Sequence, residues 1–169
     1  MSDYESLGLE GRCPKRYKKT TQSDHQEPVA ENILQQSFTS TAVEQILLSH
    51  ITYIRTTEEW LYLAVILDLY SRRIMGWDIS ESLRKDSVVA ALQKAVSKYE
   101  ITADAIFHSD RGVQFACEEF REILDRLGFR QSMSGTGNCY DNAPMESFFI
   151  PSGMNCCSER LRILGTILG

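Results

Sequence analysis

Cysteine pairs at metal-ligand spacing are missing from this chain. Its five cysteines (Cys13, Cys117, Cys139, Cys156 and Cys157) are odd in number and form no CxxC. That excludes a zinc ribbon or a disulfide framework as the organising device and suits a reducing compartment. An excess of positive charge is missing too. The net charge of −5 argues against an extended phosphate-binding surface, because non-specific nucleic-acid affinity comes mostly from Lys and Arg. A local basic patch stays compatible with that balance. No apolar run is long enough to span a bilayer, and none reads as a signal peptide. The longest run, Trp60 to Leu69, contains Asp68 and is strand-like. The expectation is a cytoplasmic protein with no membrane partner. What is present is ordinary for one globular domain: 169 residues, 43% hydrophobic and 24% charged, enough for a real core.

Residues 1–40 are polar and weakly periodic, and Lys15-Arg16-Tyr17-Lys18-Lys19 is their dense basic cluster. Two readings stand side by side: a solvated arm, or a segment in which Lys15, Arg16, Lys18 and Lys19 touch DNA phosphates. His50 to Arg55 and Trp60 to Asp68 read as strands joined by the polar turn Thr57-Glu58-Glu59. Arg73 to Ile79 makes a third strand of the same meander, in which Gly76 marks a bulge or a close approach. Asp86 is expected to cap a helix carrying Val88, Val89, Leu92, Ala95, Val96 and Tyr99 at helical spacing. Ala105-Ile106-Phe107 opens a buried strand that ends at Asp110. A helix through Phe120, Ile123, Leu124 and Leu127 stops at Gly128. Phe129 to Met133 gives a fifth strand, Ser134 to Asn138 a mobile glycine-rich loop, and a last helix follows, with Asn142 as N-cap and Pro144 in its first turn.

Two carboxylates stand out in this order. Asp110 lies at a strand end and Glu146 in the first turn of the last helix, with 35 residues between them. If the intervening helix and strand pack back on the sheet, the two meet. Paired carboxylates of this kind hold hard divalent cations through oxygen ligands. Two such ions serve an in-line phosphoryl displacement by stabilising the attacking and leaving oxygens together.

The words around those residues resemble a known family. His108-Ser109-Asp110-Arg111-Gly112, Ser132-Met133-Ser134-Gly135, Asn138-Cys139-Tyr140-Asp141-Asn142-Ala143 and Glu146-Ser147-Phe148-Phe149 are similar to the catalytic core of orfB-type insertion-sequence transposases, which are related to retroviral integrases. Ile51-Thr52-Tyr53-Ile54, Trp60 to Val65, Asp68-Leu69-Tyr70-Ser71-Arg72 and Gly76-Trp77 match in the same collinear order. The resemblance runs from about residue 11 to Phe149. It implies an α/β, ribonuclease-H-like fold: a mixed five-stranded sheet flanked by helices, with the catalytic core at 41–149 behind an N-terminal arm or linker at 1–40. It also implies DNA transposition and integration by metal-dependent phosphoryl transfer, with Asp110 and Glu146 as metal ligands. The cofactor would be Mg²⁺ or Mn²⁺. The partners would be double-stranded DNA, as element ends and target, and intact transposase as an oligomer, with nucleoid association when on DNA.

Two departures from the family pattern shape the expectation. The family's first Asp, just before Ile-Thr-Tyr-Ile, is His50 here, and an imidazole suits Mn²⁺ or Zn²⁺ better than Mg²⁺. Beyond Phe149 the family continues in a Leu-Lys-x-Glu word, whereas Ile150-Pro151-Ser152-Gly153 follows here and Pro151 ends or kinks the helix. Residues 150–169 are therefore expected to be an aberrant, frameshifted tail, with the last helix truncated and the copy degenerate and inactive. The alternative is a non-catalytic module that binds nucleic acid or intact transposase and dampens transposition. It requires Arg72, Arg73, Arg84, Lys85 and Arg111 to share a face. Around the site, Asp68 either orders a turn with Ser71 and Arg72 or substitutes for the lost Asp. His108 orients Asp110, contacts DNA or is structural. Asn142 is a cap or a polar neighbour of the site, and Tyr140 packs over the loop or stacks on DNA.

Overall fold

The computed structural model describes residues 26–55 and 60–135 and, beyond them, Asp141, Pro144, Met145 and Phe148. Three strands come first: β1 (Ile46–Arg55), β2 (Trp60–Asp68) and β3 (Ile74–Ser80). After them run α1 (Lys85–Lys98), β4 (Ile106–Ser109), the short α2 (Val113–Ala116), α3 (Glu118–Leu127) and β5 (Arg130–Met133). The five strands form one sheet in the order β3-β2-β1-β4-β5. β1, β2 and β3 pair antiparallel, while β4 lies parallel to β1 and β5 parallel to β4. The mixed five-stranded sheet flanked by helices is the architecture expected from the sequence.

Period-two alternation divides the strand side chains between two cores. On one face Leu47, Ala64, Ile66, Met75, Phe107 and Met133 meet α1, α2 and α3 through Val88, Leu92, Phe115, Phe120 and Leu124. Phe107, Phe115 and Phe120 are the aromatic centre of that face, with ring centroids 5.4–6.4 Å apart. On the other face Ile46, Leu48, Leu63, Val65 and Leu67 pack with Leu34, Phe38, Met145 and Phe148. Part of the segment assigned to a polar arm is thus built onto the sheet. Leu34 is 5% exposed, and the Glu31 carbonyl accepts the Met133 amide.

Several boundaries differ from the sequence reading. β1 starts at Ile46 instead of His50, because Ile46, Leu47 and Leu48 are buried between β2 and β4. The N-cap of α1 is Arg84, in an extended conformation and with no side-chain cap. Asp86 is two residues too deep to cap the helix. It still lies in the first turn, where its charge complements the helix dipole. α3 stops as expected at Gly128, whose φ of 72° is left-handed and whose amide bonds back to Asp125 and Leu124. An added Cβ there would meet only Ala103 at an ordinary 3.4 Å, so backbone strain alone sets the penalty. Gly128→Ala is expected to cost about 1 kcal/mol, readable as a small drop in the urea midpoint at constant slope.

Candidate active site

The site lies where β1 and β4 run side by side. Their parallel register pairs Ile46 with Ile106, Leu47 with Phe107 and Leu48 with His108. From this register β1 runs on to His50, and β4 ends at Ser109, one residue before Asp110. Both positions fall on the face covered by Leu34, Met145 and Phe148, since Leu48 belongs to that core and the His108 ring meets Phe38 edge-on at 6.3 Å. Asp110 is partly buried just past the end of β4, and its Oδ1 accepts the Gly112 amide at 2.9 Å. β1 thus carries an imidazole and the chain just beyond the neighbouring β4 a carboxylate, donor types that suit a divalent ion. Among the described residues no group of three His, Cys, Asp or Glu side chains is placed to hold a metal. Glu146, Asn142, Tyr140, Lys15, Arg16, Lys18, Lys19 and the tail 150–169 lie outside the described residues. The neighbours of Glu146 that are described, Pro144, Met145 and Phe148, are helical.

Asp68 is not brought to this pair. It stands across from Leu47, three residues from His50 along β1 and so on the opposite face. It is fully buried and accepts three hydrogen bonds. The Glu44 amide donates to Oδ1 at 2.8 Å, while the Ser71 amide and hydroxyl donate to Oδ2 at 2.7 and 2.5 Å. This is the turn-ordering role, with the carboxylate satisfied inside the protein.

His108 is also fully buried, which removes direct contact with DNA. Its Nε2 lies 2.9 Å from the Asp141 carbonyl and its Nδ1 2.8 Å from Ser132 Oγ. A carbonyl only accepts, so Nε2 carries the proton and Ser132 donates to Nδ1. Ser132 Oγ in turn accepts the Ile33 amide. The Asp141 carboxylate accepts Asn32 Nδ2 at 2.9 Å and the Gly135 amide at 2.6 Å. A polar chain therefore ties residues 31–35, β4, β5 and Asp141 together on the site's face. Gly135 is the second residue of the expected mobile loop, and its amide is engaged in that chain.

Burial pushes the His108 imidazole below its ordinary value, and the Asp141 carbonyl with the Asp141 and Asp110 carboxylates opposes this only in part. The consequence for stability has a definite sign. Between the lowered folded value and the ordinary one near 6.5, the unfolded chain binds the proton and the folded one does not. Stability contributed by neutral His108 is therefore complete above that range and lost as pH falls through it. Urea unfolding at pH 7.5 and pH 5.5 should show a loss in the wild type that shrinks in His108→Gln. Equal losses in both proteins would remove His108 as the cause.

The proposed basic face is largely committed to internal contacts. Arg111 Nε donates to the Ser134 carbonyl at 2.6 Å, Arg72 Nη1 to the Pro144 carbonyl at 3.1 Å, and Lys85 pairs with Glu119. Asn32, Ser132, Asp141 and the Arg72–Pro144 contact were not singled out from sequence. Ser132, Asp141 and Arg72 were visible only as members of the words Ser132-Met133-Ser134-Gly135, Tyr140-Asp141-Asn142 and Asp68 to Arg72, and Asn32 carried no signal.

A mixed sheet ordered β3-β2-β1-β4-β5 and flanked by helices is the ribonuclease-H-like fold. Within that class the chain belongs to the integrase core domain family, whose model matches residues 40–139. It is 41% identical over 145 residues to an uncharacterized 31 kDa protein of insertion element IS600 from Shigella sonnei, covering 86% of this chain and 53% of that one. It is 38% identical over 149 residues to the transposase InsF of insertion sequence IS3A from Escherichia coli K12, covering 88% and 52%. The chain thus spans about half the length of these bacterial relatives. Among solved structures, a simian T-cell lymphotropic virus intasome bound to a PP2A regulatory subunit superposes with a TM-score of 0.59 at 16% identity, over 86% of this chain and 49% of that one. The HTLV-2 integrase catalytic core, solved with magnesium in a trimeric form, gives 0.52 at 16% identity, over 71% and 98%. Among the described residues, no helix is long and apolar enough to cross a membrane.

Proposed function

We propose that this chain is the catalytic core of an insertion-sequence transposase, acting on double-stranded DNA through divalent-metal phosphoryl transfer. The observation that supports the reading is the parallel β1–β4 pairing, which sets Leu48 opposite His108 and runs on toward position 50 and Asp110, on the face where Met145 docks. Asp110, His50 and Glu146 are the ligand set. The ion would supply charge neutralisation at the attacking and leaving oxygens. The donors fit Mn²⁺ better than Mg²⁺, because one of the three is a neutral imidazole. The protein's own part is positional. Asp110 is held by the Gly112 amide, and Asp141, five residues before Glu146 in sequence, is held by His108 and the Gly135 amide. With only two carboxylates, cleavage and strand transfer by this copy are weak, and DNA ends and a second protomer are its partners.

The reading is tested with supercoiled plasmid and purified full-length chain in Mn²⁺, in Mg²⁺ and in chelator. Slow nicking in Mn²⁺ that disappears in Asp110→Asn supports it. Nicking that persists in Asp110→Asn, or Mn²⁺ binding unchanged by that substitution, sinks it.

A further inference from the structure

The turn between β2 and β3 is built around an arginine in a conformation that arginine disfavours. Arg72 has φ = 56°, the left-handed region in which an L side chain crowds its own backbone. The turn is fixed from below by Asp68, which accepts the Ser71 amide and hydroxyl, while the Arg72 amide returns to the Asp68 carbonyl at 2.9 Å. The Asp68 amide bonds the Arg73 carbonyl at 2.9 Å and closes the hairpin. Glycine would satisfy such a turn with less strain. What glycine lacks is the guanidinium, and here Nη1 donates to the carbonyl of Pro144 at 3.1 Å, 72 residues away in sequence. Pro144 and Met145 are buried, and Met145 packs on the sheet face that carries His50 and Asp110. In sequence, Glu146 follows directly.

We propose that Arg72 is a positioning residue of the metal-dependent site, acting through the Pro144 carbonyl to hold the segment that leads into Glu146. The inference rests on the function proposed above. Asp68 and Ser71 serve it by fixing the turn, which gives the Asp68 to Arg72 word a role beyond hairpin closure. One guanidinium nitrogen makes the bond, so a lysine can supply the same single donor from a shorter stem. A glycine removes the donor and relaxes the backbone together. The two substitutions therefore separate positioning from folding.

The experiment compares full-length wild type, Arg72→Gly, Arg72→Lys and Asp110→Asn. Three readouts are taken: thermal midpoint, hydrogen exchange of the peptide spanning Met145 to Phe148, and affinity for Mn²⁺ alone by titration. Arg72→Gly is expected to keep or raise the midpoint, yet to exchange at least tenfold faster in that peptide and bind Mn²⁺ at least tenfold more weakly. Arg72→Lys should fall between it and the wild type. Exchange within twofold of wild type in Arg72→Gly overturns the proposal. So does unchanged Mn²⁺ affinity in Arg72→Gly where Asp110→Asn still lowers it, and that result leaves the proposed function standing. If the wild type shows no saturable Mn²⁺ binding, the functional reading falls and Arg72 loses its metal-site role with it. The exchange data then decide only whether the turn holds the segment.

Discussion

Gly76→Ala is expected to lower the thermal midpoint by about 10 °C or more, the size of a loss of about 3 kcal/mol in a domain of this length. β3 crosses α1 so closely that a Cβ at position 76 would sit 2.1 Å from the Ala91 carbonyl oxygen and 2.9 Å from the Ala95 amide nitrogen. Both are backbone atoms of α1, so no change of rotamer relieves the contact. The helix has to lift from the sheet instead, opening gaps around Val88, Leu92 and Ala95, each fully buried. Overpacking in a well-packed core costs about 1–3 kcal/mol, and a backbone obstacle places this case at the upper end. Ala91→Gly should give no rescue, because it leaves the obstructing carbonyl in place. A midpoint within 2 °C of wild type would show that the sheet and α1 can separate at little cost.

Gly76 also shows how much of the fold was legible. The sequence offered two uses for a glycine in a strand, a bulge or a close approach, and the structure has both. The β2–β3 register shifts between Ile66 and Leu67, so that Gly76 faces Ile66 while Ile74 faces Leu67. Periodicity and turn chemistry were enough for the strands, for α1 and α3, and for the stop at Gly128. They failed at Ile46-Leu47-Leu48, because a central strand buried on both faces shows no alternation to read. They failed at Arg84 because a helix can start on backbone geometry alone, with no side-chain cap. Asp110 and position 50 were singled out through a family resemblance, and the structure shows the strands that lead to them, β1 and β4, paired in parallel. The supporting contacts were not legible. His108 with Asp141, Asn32 with Asp141 and Arg72 with Pro144 span 33, 109 and 72 residues, and no local pattern encodes pairings at such separations.

His50→Asp is the substitution with the largest expected effect on the site. It puts a second carboxylate on β1, the strand that pairs in parallel with β4, which ends just before Asp110. At an effective dielectric of about 20, unit charges about 4 Å apart interact by about 4 kcal/mol, and a divalent ion doubles the attraction to each carboxylate. Repulsion between the new Asp and Asp110 is of the unit size, and desolvation offsets a further part. A net gain of at least about 1.4 kcal/mol, or tenfold in affinity for Mg²⁺, is therefore expected. Preference should shift at the same time, since replacing an imidazole nitrogen by a carboxylate oxygen favours Mg²⁺ relative to Mn²⁺. Stability carries the same signature with the opposite sign in chelator. Without metal the paired carboxylates repel and the midpoint of His50→Asp lies below that of wild type. About 10 mM Mg²⁺ should raise the variant's midpoint more than the wild type's, by linkage of binding to folding. Calorimetric titration and thermal unfolding in Mg²⁺ and in chelator read both effects on one preparation. If the variant binds Mg²⁺ no better than wild type and its midpoint ignores the ion, position 50 does not face the ion that Asp110 would hold, and the ligand set proposed for this core is wrong.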